Sequence, residues 1–210
     1  PTTGRRYTLA IDLAGLGGNT NFYKPTVEGV WYLRQNSRMS LGFRGQFEYI
    51  HSLHGTSELP IFEKLFLGGE YSVRGFDLRT IGPRDPVTLL PLGGNKSVLF
   101  NIEELINIAG PVRLVLFYDA GQVQRGPEVI GPSLFTPDGR FFGAVQLPGQ
   151  NFTWEDFKTS TGAEIRFFMP VLNVPFRLIF AYNPRREGVL NNQLQPQKAF
   201  QFRFAVGSTF

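Results

Sequence analysis

Apolar and polar residues alternate along this chain with a period of two over long stretches, which predicts β-strands with two chemically distinct faces. In Arg38–Ile50, Met39, Leu41, Phe43, Phe47 and Tyr49 fall on one face. Arg38, Ser40, Arg44, Gln46 and Glu48 fall on the other. A helix would scatter these charges around its axis. The same separation predicts strands over Arg5–Leu13, Pro25–Arg34, Ser97–Ile106, Pro111–Val123, Phe157–Met169, Val174–Asn183 and Ala199–Phe210. The expectation is therefore an all-β fold of about eight antiparallel strands, each the length of a tilted membrane crossing.

A soluble sandwich also alternates, but its strands average about 5–6 residues. Here Arg, Glu and Lys recur on the polar face of nearly every strand, as they would along a wet lumen. Composition agrees with the membrane reading. Aromatics make up 14% of the residues, with 21 Phe and 24 Gly, while the hydrophobic fraction is an ordinary 42%. That combination follows when only every second residue faces lipid. No apolar run is long enough for a spanning helix.

The connections alternate tight (Gln35–Ser37, Asn107–Gly110, Pro170–Asn173) and long (Gly15–Thr20, His51–Lys96, Gln124–Asp156, Pro184–Lys198). Barrels of this kind carry short turns on the periplasmic side and long loops outside. The expectation is a single transmembrane β-barrel domain over 1–210, with both termini periplasmic and a long extracellular loop over 51–96. Trp31, Tyr32, Tyr49, Tyr182 and Phe210 are candidates for the interfacial girdle.

Charge and candidate chemistry add mainly exclusions. The net charge of +4 is spread through alternating strands without blocks, which gives nucleic acid no footprint. Cys is absent, which rules out disulfides and thiolate metal sites. Pro1–Ala10 shows no secretory signal, as in a mature or trimmed chain. His51 and His54 have no accompanying Ser or carboxylate constellation and read as loop histidines. No enzyme, metal or cofactor is expected. The turn chemistry of Gly126–Pro132 and Thr136–Gly139 is ordinary.

The loop after His51 exceeds usual connection lengths, and such loops are functional or disordered. Its apolar residues Ile61, Phe62, Leu65, Phe66 and Leu67 argue for order. They lead into Gly68-Gly69 and then Val73-Arg74-Gly75-Phe76, a turn tip offering one guanidinium. By itself, that tip reads equally well as a solubilising arginine.

Val73-Arg74-Gly75-Phe76, followed by Ile81-Gly82-Pro83, resembles the signature loop of the BamA/TamA outer-membrane assembly family. The likeness continues in Gly93-Gly94-Asn95, in Ile102-Glu103, and in Phe117-Tyr118-Asp119-Ala120-Gly121. Phe202-Arg203-Phe204-Ala205-Val206-Gly207-Ser208-Thr209-Phe210 is similar to the β-signal of assembly clients. Pro1-Thr2-Thr3-Gly4 resembles the entry to the ninth strand of the family barrel. The resemblance implies a bacterial outer-membrane protein acting non-covalently in membrane-protein insertion or translocation. It also implies that Arg74 meets lumenal carboxylates at Glu103 and Asp119. This accounts for that pair better than a catalytic role does, since a guanidinium fork suits carboxylates. Phe202, Phe204, Val206, Gly207 and Phe210 would form a seam with Arg5–Leu13. Implied partners are outer-membrane lipid, unfolded barrel clients, and a second copy of the chain or a separate periplasmic partner. The competing reading is a structural barrel or small pore.

The sequence departs from the family in two respects. Residues 1–210 include no stretch resembling a periplasmic POTRA domain, and the strands match only strands nine to sixteen of a sixteen-stranded barrel. An eight-stranded barrel is just wide enough for side chains, so a loop within it needs room the strand count does not supply. Self-closure is the arrangement expected from the chain as given. Pairing of two chains and closure with a missing half are the alternatives.

Overall fold

A computed structural model describes residues 3–15, 17, 20–53, 59–86, 88–126, 128–130, 145–147, 149–168 and 174–207. The strands are β1 (Gly4–Ala14), β2 (Phe22–Arg34), β3 (Met39–Tyr49), β4 (His51–Ser52), β5 (Lys96–Ala109) and β6 (Val112–Gln124). They continue as β7 (Glu128–Ile130), β8 (Val145–Leu147), β9 (Lys158–Phe168), β10 (Pro175–Arg185) and β11 (Phe200–Val206). The eight long strands form one antiparallel sheet in the order β1-β2-β3-β5-β6-β9-β10-β11, so each pairs with the next long strand along the chain. β4 continues the pairing to β2, and β7 and β8 form a separate two-stranded sheet.

The two faces are inverted relative to a soluble sheet. Ser97, Leu99, Asn101, Glu103 and Leu105 of β5 are buried, and so are Val115, Phe117 and Asp119 of β6. Their outward neighbours Phe100, Ile102, Leu116 and Tyr118 remain exposed. Burying polar groups and exposing aromatic ones is stable only where the solvent outside is hydrocarbon. No helix among the described residues is long and apolar enough to cross a membrane.

What buries the inner face is the loop between β4 and β5. Its stem pairs Leu65 with Gly94 and Leu67 with Ile81. Gly69 N–H donates to Phe76 O across the tip. Leu59, Leu65, Leu67, Val73, Phe76 and Ile81 then join Leu99 of β5 and Val123 of β6 in one apolar core. The tip comes close enough that a Cβ added at Gly121 would stand 2.8 Å from the Val73 side chain.

Two expectations are corrected. The sheet does not close on itself: among the described residues β1 pairs only with β2 and β11 only with β10, and no pairing joins Arg5–Leu13 to the last strand. The inner face is occupied by the loop, and a ring of only eight strands would leave no space for it. Tyr32 is not a girdle residue. It lies on the inner face, buried with Val30, Leu105 and Val115. Trp31 and Tyr182 do face outward, whereas Phe210, His54, the turn Pro170–Asn173 and most of the 126–139 stretch lie outside the described residues.

Candidate functional site

The tip places Arg74 where no water reaches it; the residue is 0% exposed. Asp119 of β6 takes its fork, accepting from Nε and Nη2 at 2.7 Å each, and also accepts from the Arg74 backbone N–H at 3.0 Å. Nη1 donates to Glu103 of β5 at 2.6 Å and to Glu164 of β9 at 3.1 Å. The guanidinium carbon lies 3.8 Å from the centre of the Phe117 ring, a desolvated cation–π contact. Sequence reasoning named Glu103 and Asp119, and the fold brings both to Arg74.

It did not name the other half of the cluster. Arg166 of β9 and Arg177 of β10 are cross-strand partners, and Arg113 is the partner of Arg166 on the other side. Like charges directly opposite one another destabilise a sheet. Glu164 offsets this, accepting from Arg177 Nε and Nη2 at 2.7 and 2.8 Å and also from Arg166 Nε. Arg166 in turn donates to Glu103 at 2.7 Å. Arg74, Arg166 and Arg177 are thus balanced by Glu103, Asp119 and Glu164, three against three. A sequence signal for this existed, since Glu164 and Arg166 are two apart and share the polar face of one strand.

Gly75 and Phe76 complete the tip. Gly75 has φ of 84°, and a Cβ there would stand 2.6 Å from Asn183 Oδ1 and 2.7 Å from Ala181 Cβ. Only glycine fits both the left-handed backbone and this approach to β10. Its carbonyl accepts from Asn183 Nδ2 and Gln197 Nε2 at 3.0 and 2.8 Å. Phe76 is fully buried in the loop core.

The loop also reaches the last strand. Tyr71 OH donates to Val206 O, and Arg203 of β11 is ion-paired with Asp77 and, at 3.5 Å, with Glu70. Phe202, Phe204 and Val206 face outward and exposed, and Gly207 N–H donates to Pro175 O. Burial would push the Asp77 carboxyl up, but the Asn192 amide and Arg203 outweigh it and hold it below the usual carboxylate range. A depressed folded value means that this tether is at full strength above about pH 4 and weakens as pH falls through the lowered value. Protection of the Asn192 amide against hydrogen exchange should therefore be flat near neutrality and decline only in acid. Protection unchanged throughout the acid range would contradict the tether.

His51 is stacked on Tyr49, with Nδ1 3.3 Å from its hydroxyl, and holds no place in the cluster.

The model of the Omp85 superfamily domain matches residues 1–210. Among curated proteins, the outer membrane protein assembly factor BamA of Neisseria meningitidis serogroup B is 28% identical over the whole of this chain and 26% of its own length. BamA of Nitratidesulfovibrio vulgaris is 26% identical over the whole chain and 23% of its own length. A SAM50-like protein of Schizosaccharomyces pombe is 31% identical over 58% of the chain and 27% of its own length. The chain therefore spans about a quarter of the length of these relatives. Among solved structures, BamA from Haemophilus ducreyi lacking POTRA domains 1-3 superposes with a TM-score of 0.71 at 21% identity, over 99% of this chain and 39% of that one. That likeness is one of fold.

Proposed function

This chain belongs to the Omp85 superfamily, and from that premise we propose that it supplies half of a wide outer-membrane β-barrel that inserts or translocates other barrel proteins without covalent chemistry. The observation that carries this reading is that β1 and β11 are edges left unpaired among the described residues, flanking an inner face already filled by a loop. Open edges are not tolerated in lipid. Further strands, from a longer polypeptide or a second copy, must therefore meet both. The barrel so closed is wide enough to hold the loop.

An edge that separates locally would present a row of backbone donors and acceptors. Such a row can template an incoming strand by β-augmentation. The β11 edge suits this role, because its outward Phe202, Phe204 and Val206 keep a client strand at the lipid boundary. Arg74 acts here as a latch that fixes the loop against the wall while the β11 edge opens. The long loop 51–96 lies on the extracellular side, as the tight turns on the other side imply. Unfolded barrel chains are the clients, and a periplasmic partner would deliver them.

The test is reconstitution. The closed barrel carrying this chain should accelerate folding of an unrelated barrel into liposomes. No acceleration over an inert barrel of equal size would favour a purely structural role.

A further inference from the structure

The outer face near the tight turns carries a feature that the assembly reading does not use. Arg5, Tyr7, Trp31, Leu33 and Phe43 line a hollow of about 450 Å³ on the outer face of β1, β2 and β3. Cross-strand register sets Arg5, Trp31 and Phe43 side by side, close to the β2–β3 turn. Beside them, Tyr7, Gly29 and Gly45 form a row in which two positions carry no side chain. Trp31 Nε1 donates to Tyr7 OH at 2.9 Å, and the two rings meet edge to face. Tyr7, having accepted, still has its own hydroxyl proton to donate.

Arg5 is an exposed cation on an otherwise apolar surface, and no carboxylate among the described residues is ion-paired with it. Arg6, Arg113, Arg166 and Arg177, also toward this end, occupy inner-face positions by alternation. An arginine on a lipid-facing strand is costly unless its long side chain reaches the headgroup layer. A phosphate there satisfies the charge, and the apolar floor beneath suits a hydrocarbon chain.

We propose that this hollow seats one anionic glycerophospholipid of the leaflet on the tight-turn side. Its phosphate pairs with Arg5, and an acyl chain lies over Leu33, Phe43 and Trp31. A bound lipid at β1 would fix the composition of the bilayer beside that edge.

Trp31 is a built-in reporter. The closed barrel is reconstituted in phosphatidylcholine vesicles containing equal, low mole fractions of brominated-chain phosphatidylglycerol or brominated-chain phosphatidylcholine. The emission that disappears in Trp31→Phe should be quenched as if the anionic lipid were enriched about fivefold, the worth of one cation at an anionic headgroup layer. Arg5→Lys should keep the enrichment and Arg5→Gln should abolish it, while Arg6→Gln, on the opposite face, should leave it intact. Equal quenching by the two lipids in the unmodified barrel would overturn the proposal. So would enrichment that survives Arg5→Gln.

Discussion

Arg74→Ala should release the loop from the barrel wall and lower stability by about 3–5 kcal/mol, the cost of removing one partner from a buried ion pair. The magnitude rests on what is left behind. Asp119 loses the fork that occupies both its oxygens, and Glu103 and Glu164 each lose a donor inside a water-excluded cluster. Three carboxylates then face two arginines. Arg74→Lys should recover only part of the loss, because an ammonium is a point charge and cannot satisfy both Asp119 oxygens in one plane. Proteolysis of the loop should become fast in Arg74→Ala, and the denaturation midpoint should fall. If both are unchanged, Arg74 is not a latch.

Glu164→Gln should be nearly as damaging, for a different reason. Glu164 stands among Arg74, Arg166 and Arg177, and no other carboxylate contacts Arg177 among the described residues. Without its charge, the opposed guanidinium groups of Arg166 and Arg177 repel across one strand pair. The expected loss is again roughly 3 kcal/mol or more, as for a buried charge left without its partner. It should localise to β9 and β10, whereas Arg74→Ala acts through the loop. Hydrogen exchange along β10 separates the two: faster exchange in Glu164→Gln than in Arg74→Ala is expected, and the reverse order would contradict this division of roles. Because the two residues share one cluster, their effects should be markedly less than additive.

The strand plan was legible because every second residue declares its solvent. Phe100 and Ile102 against Asn101 and Glu103 can be sorted without knowing any contact. The sequence also pointed to Arg74, Glu103 and Asp119, but through the likeness of the loop and two strands to a family, since a lone loop arginine reads equally well as a solubilising one. The remainder of the cluster was hidden. Alternation puts Glu164, Arg166 and Arg177 on the inner face but does not say which inner charges meet. That depends on the register of β6, β9 and β10, which is set by turns whose conformation a single sequence does not specify. Tyr32 was misassigned because its ring resembles a girdle residue; parity with Val30 would have placed it inside. Self-closure failed because it rests on eight strands sufficing, although the loop needs more room than a ring of eight leaves. The contacts of Tyr71 and Asp77 with β11 join segments far apart in the chain and leave no local trace.

The central claim is that the loop tip is docked in the lumen wall through Arg74. This chain has no cysteine, so a single introduced thiol reports without background from it. Val73, beside Arg74, is 0% exposed, whereas Leu78 on the same loop is 64% exposed. In the closed barrel in vesicles, Val73→Cys should resist a membrane-impermeant maleimide under conditions that label Leu78→Cys completely. Adding Arg74→Ala should make position 73 reactive. Labelling of Val73→Cys at the rate of Leu78→Cys, with Arg74 intact, would contradict the docked loop and the function argued from it.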